Sequence, residues 1–312
     1  MTAGRARTVF VGSGRFGLES LRRLRDHGDV DLVGVVTAPS RPAGRGRRLA
    51  RSPIHQVADE LGLDVIMTPG RLRAPDSIGE VLALEPDLLV LADYGQIVPS
   101  ALLDVPYGAL NLHPSLLPRH RGATPIPAAI LAGDVETGVT LLQMDSGLDT
   151  GPIIAQATRP LLGSETTPLL EADLEVVAAD LLEGNIGPWI RGELAARPQA
   201  TAGVTLTRPL RRDDGRLDPG RPAVELERQV RAYQPWPGSF VDSPVGRIIV
   251  WAATPDADPS ASRPGVLDER GLGVGHGERL AFERVQPAGG TRMSWAAFTR
   301  GRPSIIGASI VG

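Results

Sequence analysis

Short apolar runs alternate with helical patterns through the first half of this chain, and no other feature restricts its fold as much. TVFVG (Thr8–Gly12), VDLVGVV (Val30–Val36), LDVIM (Leu63–Met67), DLLVLA (Asp87–Ala92) and ALNLH (Ala109–His113) read as strands. FGLESLRRLRDHG (Phe16–Gly28) and PIHQVADELG (Pro53–Gly62) read as helices between them. A strand that is apolar on both faces can leave neither face to water, so helices must cover both. That defines an α/β unit built on a Rossmann-like, mainly parallel sheet. GVTLLQM (Gly138–Met144) and PIIAQAT (Pro152–Thr158) continue the β pattern. A long helix is then expected over Thr166–Gly184, with Thr166 or Thr167 as N-cap and Gly184 as its stop.

From about residue 204 the texture changes. Helical periodicity persists only in PAVELERQVRAY (Pro222–Tyr233), and β-like pieces such as GRIIVWAA (Gly246–Ala253) and RLAFERV (Arg279–Val285) alternate with turn-rich segments. This predicts a smaller, OB-like β-barrel domain over 204–312 after a first domain over 1–203, and 312 residues suffice for two cores. Charge divides the same way: residues 1–207 carry 18 Arg against 24 acids, a net of −6, whereas 208–312 carry 15 Arg against 12 acids, a net of +3.

All 33 basic residues are Arg and the chain has no cysteine. Schiff-base chemistry, thiolate catalysis, disulfides and cysteine-ligated zinc are therefore excluded, and any phosphate contact must come from a guanidinium, a backbone N–H or a neutral side chain. No apolar stretch approaches the roughly 20 residues that span a bilayer, and Met1–Val11 has no apolar signal segment, so a cytoplasmic protein is expected.

GSGRFG (Gly12–Gly17) follows a strand and opens a helix, the setting of a dinucleotide-binding turn. The second strand and its exit, VGVVTAPSR, lack the acid that would hold a ribose, although Arg41 could meet a 2′-phosphate. A tight turn with close helix packing is the favoured reading, and an NADP-dependent oxidoreductase the alternative from another class. SRPAGRGRRLARSP (Ser40–Pro53) holds Arg41, Arg45, Arg47, Arg48 and Arg51 with no acid. Such a loop suits an RNA backbone or is simply a solvated, Arg-biased segment.

NLHPSLLPRHRG (Asn111–Gly122) carries the sharpest chemistry. Residues two apart on a strand share a face, so Asn111 and His113 project together while Leu110 and Leu112 turn away. They lie at the carboxyl end of a strand, where open α/β sheets bind ligands. An amide donor beside an imidazole can stabilise a developing oxyanion and handle a proton. MDSGLDTG (Met144–Gly151) offers Asp145 and Asp149, and a carboxylate beside His113 would raise the imidazole pKa and fix its tautomer. Either Asp could instead cap a turn. No HExxH pattern or G-x-S-x-G elbow is present, so an acid–base or acyl-transfer site without a metal is expected.

Taken together these residues resemble the folate-dependent formyltransferase family. Its signature is Asn-x-His, then SLLP and a basic–Gly pair, with an Asp in a distant Gly-rich loop. The matching pieces are NLHPSLLPRHRG, ETGVTLLQMDSGLDTG and LADYGQIVP (Leu91–Pro99). TAPSRPAGRGRRLARSPI resembles the tRNA-contacting insertion of the branch acting on initiator tRNA, and VRAYQPWPGSF (Val230–Phe240) and VQPAGGTRMSW (Val285–Trp295) resemble that branch's C-terminal barrel.

The resemblance implies transfer of the formyl group of 10-formyltetrahydrofolate, a co-substrate, to the α-amino group of methionyl initiator tRNA. It needs no metal, membrane or protein partner. Asn111 and His113 would polarise the formyl group and stabilise the tetrahedral oxyanion. Asp149 would keep His113 charged or correctly oriented and assist proton removal from the amine. Ser115, Leu116, Leu117 and Pro118 match the folate-binding segment, with Tyr94 and Gly95 of LADYGQIVP beside it. Arg41, Arg45, Arg47, Arg48 and Arg51 match the tRNA-contacting loop. Pro114 and His120 are closer to the hydrolase domain of formyltetrahydrofolate dehydrogenase, so 10-formyltetrahydrofolate hydrolysis is an alternative. Formylation of an amino sugar or small amine is another.

Overall fold

In the computed structural model, which describes residues 4–43, 48–257 and 263–311, strand β1 (Ala6–Gly12) is buried at every position but Arg7. Helix α1 (Leu18–Asp26) turns Leu21 and Leu24 inward, while Arg23 pairs with Glu19 and Glu183. β2 (Val30–Val36) lies parallel to β1. The Arg-rich segment that follows contributes an antiparallel pair of β3 (Arg41–Ala43) and β4 (Arg48–Ala50). Helix α2 (Pro53–Glu60) begins where the Ser52 hydroxyl accepts the His55 N–H at 3.0 Å, with Pro53 in its first turn.

β5 (Ile66–Met67), α3 (Pro75–Leu82), β6 (Leu88–Ala92) and β7 (Ala109–His113) complete the parallel part of the sheet. The two-residue β8 (Arg121–Gly122) and helix α4 (Pro125–Ala132) follow. β9 (Glu136–Gln143) then runs antiparallel to β7, and β10 (Ile153–Pro160) antiparallel to β9. The order across the sheet is β10-β9-β7-β6-β1-β2-β5. Helix α5 (Thr167–Ile190) is followed by β11 (Leu206–Thr207), which pairs with β8.

A second sheet is antiparallel throughout. After α6 (Ala223–Ala232) come β12 (Ser239–Ser243), β13 (Gly246–Asp256), β14 (Gly271–Val274) and β15 (Glu278–Pro287) in the order β12-β13-β15-β14, with β16 (Met293–Ser294) on β15. Leu226 and Val230 of α6 pack on Ile248, Val250 and Leu280 of this sheet. Helix α7 (Trp295–Gly301) adds Trp295, set edge-on to Phe282 at 5.2 Å. The chain divides into two compact units, one of 1–125, 136–160 and 171–208 and the other of 126–135, 161–170 and 209–312. Among the described residues no helix is long and apolar enough to cross a membrane.

Most expected bounds shift by one to three residues, and two differences go beyond that. LDVIM contributes only Ile66–Met67 as strand. The long helix does not stop at Gly184 but continues to Ile190, because Leu182, Ile186 and Ile190 keep burying one face. Gly in a helix interior costs about 1 kcal/mol, less than that burial returns.

The strand order reverses between β1 and β6, so their carboxyl ends frame the crevice where a nucleotide would sit in such a sheet. Here the exits of the two strands are bonded to each other. The N–H groups of Ser13 and Gly14 donate to the Asp93 carbonyl at 3.0 and 3.4 Å, and a Cβ on Gly14 would fall on the Asp93 carboxyl group. A Cβ on Gly12 would lie 2.5 Å from the Ala92 carbonyl and 2.8 Å from the Phe10 ring. The glycines of GSGRFG thus permit close packing, and the donors that could hold a pyrophosphate are already used beside an acid. Gly12→Ala is expected to destabilise the protein by about 1–3 kcal/mol through this overpacking, read as a lower thermal midpoint. Calorimetric titration of the wild type with NADPH is expected to show no binding.

Candidate active site

β7 sits between β6 and β9, and the alternation along it decides what its end can present. Leu110 and Leu112 are fully buried on one face. Asn111 and His113 share the other, and both meet Asp149. The Asn111 amide nitrogen lies 3.5 Å from Asp149 Oδ1, and His113 Nδ1 lies 3.7 Å from Asp149 Oδ2.

Asp149 is fixed in the left-handed region (φ 52°), which Asp tolerates better than most residues. Its Oδ2 accepts the Gly122 N–H at 2.7 Å. The loop that carries it is tied by Asp145, whose carboxylate accepts from the Gly147 N–H at 2.9 Å and the Thr150 hydroxyl at 2.7 Å. A Cβ on Gly151 would collide with the Gln143 carbonyl. Asp145 therefore shapes the turn, and Asp149 is the carboxylate turned to the strand end.

The second anchor of the imidazole is the His120 carbonyl, 3.0 Å from His113 Nε2. His120 is also left-handed (φ 57°). Because a carbonyl can only accept, His113 carries its proton on Nε2, and the Nδ1 lone pair of the neutral ring faces Asp149. Burial pushes the imidazole pKa below its ordinary value; Asp149 and the His120 carbonyl pull it upward without overcoming that loss of solvation. The rise expected from the carboxylate alone is thus overturned, since the ring lies inside the protein. At neutral pH it is an uncharged base.

Ser115 is buried and its hydroxyl donates to the Arg119 carbonyl at 2.6 Å, so it holds the turn that brings His120 back. Leu117 is buried as well, its N–H donating to the Thr140 hydroxyl at 3.1 Å, and Leu116 and Pro118 are half-buried. Tyr94 and Gly95 follow β6, the neighbour of β7. The Tyr94 hydroxyl is buried without a hydrogen-bond partner, and burial pushes its pKa up to about 12. Gly95 is exposed with open space around it.

Arg41 and Arg51 are exposed, and Arg51 is paired with Asp59. Arg48 begins β4, whereas Arg45 and Arg47 lie outside the described residues. Arg121 and Gly122 had no expected role, although both stand in the NLHPSLLPRHRG motif as its basic–Gly pair. Gln199 donates to the Asp149 carbonyl at 2.7 Å, and no sequence signal marked it.

An open, mainly parallel sheet whose strand end presents an amide and a neutral imidazole to a carboxylate from a neighbouring loop, with the nearby serine hydroxyl committed to backbone, suits acyl transfer to an incoming nucleophile. Comparison with known proteins narrows the class. Residues 6–182 match the family model Formyl transferase, and residues 209–303 match Formyl transferase, C-terminal domain. The chain belongs to the formyl transferase family.

Methionyl-tRNA formyltransferase of Roseiflexus sp. (strain RS-1) is 42% identical over 301 residues, covering 95% of this chain and 92% of that protein. The protein of the same name from Gluconobacter oxydans (strain 621H) is 39% identical over 98% of this chain and 100% of its own length. Solved structures share the fold at lower identity. HypX from Aquifex aeolicus in complex with tetrahydrofolic acid aligns with a TM-score of 0.62 and 18% identity over 95% of this chain and 47% of that one. The N-formyltransferase from Helicobacter canadensis in complex with folinic acid and dTDP-3-aminofucose gives 0.62 and 18% over 89% and 99%.

A buried imidazole with a depressed pKa has a defined pH signature. Below about 6.5 the unfolded chain binds the His113 proton before the folded chain does. This residue's contribution to stability is therefore lost as pH falls from there through the folded pKa. Chemical denaturation across that window is expected to show a shallower acid loss in His113→Gln than in the wild type.

Proposed function

We propose that this chain transfers the formyl group of 10-formyltetrahydrofolate to the α-amino group of methionyl initiator tRNA. The observation that carries the proposal is the near-full-length similarity to methionyl-tRNA formyltransferases, which extends through the second domain. An amino sugar or small amine does not need an Arg-bearing ribbon, and hydrolysis alone needs neither that ribbon nor a second domain.

The residues present fit a folate formyl donor. They combine an amide donor, a proton acceptor and a buried, unpartnered Tyr94 hydroxyl at adjacent strand ends, with open backbone at Gly95. When bound, 10-formyltetrahydrofolate supplies the electrophilic formyl carbon. We assign Asn111 to the formyl oxygen, because its amide has only a marginal acceptor in Asp149 at 3.5 Å. His113 accepts at Nδ1 the proton that the attacking amine loses as its N–C bond forms, and returns it to the folate nitrogen as the formyl C–N bond to that nitrogen breaks, releasing tetrahydrofolate. The imidazolium so formed faces Asp149 at 3.7 Å, and Nδ1–H becomes a second donor to the oxygen as negative charge develops there. Asp149 acts by balancing that charge.

Leu116 and Pro118, with the backbone of Ser115 and Leu117, form the folate-facing segment together with Tyr94 and Gly95. Arg41, Arg45, Arg47, Arg48 and Arg51 contact the tRNA backbone, with Arg51 weakened by its pairing to Asp59. Residues 1–203 act as the catalytic domain and 204–312 as the tRNA-binding domain, in the cytoplasm.

The test is transfer of labelled formyl to charged initiator tRNA. His113→Ala and Asn111→Ala are each expected to lower kcat/KM by about 10²–10³-fold. Folate hydrolysis by the wild type with no transfer would overturn the proposal. Deletion of Gly44–Arg48 is expected to impair tRNA formylation strongly and formylation of a small amine little; equal losses would remove the RNA role of the ribbon.

A further inference from the structure

The carboxylate that faces His113 stands on a loop whose own internal ties run through Asp145. Asp149 is left-handed, a conformation costing of order 1 kcal/mol unless its surroundings impose it, and Gly147 and Gly151 flank it at two residues on either side. The surroundings that impose it come from the segment leading from α5 toward the second domain. Arg197 pairs there with Ile153 at the start of β10, exchanging N–H···O bonds of 2.7 and 2.8 Å. This sets the register of Gln199, a half-buried residue between exposed neighbours.

The Gln199 amide nitrogen donates to two carbonyls at once, Asp149 at 2.7 Å and Gly151 at 2.8 Å. Its oxygen accepts from Arg121 Nε at 3.1 Å and Nη2 at 2.7 Å. The orientation of this amide is not arbitrary. A guanidinium can only donate and a carbonyl can only accept, so Arg121 forces the NH₂ end toward the loop. Arg121 lies between the residue whose carbonyl anchors His113 and the one whose N–H anchors Asp149. The same connecting segment returns to that strand: the Thr205 hydroxyl accepts the His120 N–H at 2.7 Å, and β11 pairs with β8.

We propose that Gln199, oriented by Arg121, is a positioning residue that sets the Asp149 carboxylate against His113. The role deepens the proposed transfer reaction and rests on that reading for its catalytic consequence, but its geometric part stands alone. Without the clamp, the carbonyls of Asp149 and Gly151 lose their common donor and the loop is free to relax from the left-handed conformation. The carboxylate then leaves the imidazole.

Gln199→Met keeps the length of the side chain and removes both donors, so it separates clamping from packing. Two readouts are needed, both on the full chain. The first is the His113 titration, followed by NMR on histidine-labelled protein. Asp149 and His120 are the titratable groups facing this imidazole; the Asp149 charge raises its pKa, as does the hydrogen bond to the His120 carbonyl, whereas the His120 charge lowers it. Loss of the carboxylate is expected to move the midpoint further down. The second is steady-state formyl transfer, where kcat is expected to fall by up to about 10²-fold with KM for both substrates little changed, as for a misplaced catalytic group. Arg121→Met, which leaves Gln199 in place but unoriented, carries the same test should Gln199→Met fail to fold. An unchanged His113 titration in a folded variant overturns the proposal whatever the rate does. A shifted titration in a protein that transfers no formyl group even as wild type would leave the clamp standing and sink the proposed function.

Discussion

One carboxylate holds the site together. Asp149 Oδ2 accepts the Gly122 N–H and faces His113 Nδ1, while Oδ1 faces the Asn111 amide. Strand β7, the short strand β8 and the loop after β9 thus meet on a single side chain. Each of those elements has its own support: β7 is embedded in the sheet, β8 is paired with β11, and the loop is tied by Asp145. The left-handed backbone at His120 and Asp149 is what turns a carbonyl and a carboxylate toward the same imidazole. Strain at such positions persists only where neighbours over-determine it, and here they do.

Two opposing effects meet at His113, and their balance fixes its chemistry. A nearby carboxylate favours the charged ring, and burial disfavours it. The distance of 3.7 Å is too long for a direct hydrogen bond, so the attraction is purely coulombic, whereas loss of solvation acts on the whole ring. Burial wins, and the His120 carbonyl then selects which nitrogen stays protonated. A neutral base with its lone pair toward the carboxylate suits accepting a proton and then being stabilised by that carboxylate.

Much of the fold was legible because both faces of β1 and β6 are buried and such strands cannot hide their composition. ALNLH appears as Ala109–His113 and VDLVGVV as Val30–Val36, each at its expected bounds. LDVIM was harder, since only two of its residues find a partner on the outermost strand position. Ser239–Ser243, Gly271–Val274 and Trp295–Gly301 gave little sign: the first two are short strands rich in small or polar residues, and the last is two turns long. Their structure comes from pairing and packing, not from local periodicity. Gly184 illustrates the opposite error, a local stop signal overridden by a buried helix face.

The sequence by itself determined the mainly parallel α/β unit, the mainly β character of the second unit and the placing of Asn111 beside His113, the last because a strand's period of two admits no other arrangement. It also held the candidate carboxylates: residue pattern alone did not separate Asp145 from Asp149, and the family resemblance pointed to Asp149. Only the tertiary structure decided that Asp145 ties its own loop while Asp149 crosses to β7, that the imidazole is neutral, and that GSGRFG is closed by Asp93. Gln199 belongs to the same group, fifty positions along the chain from Asp149. These are consequences of distance and desolvation between residues far apart in sequence, quantities that a one-dimensional pattern does not contain.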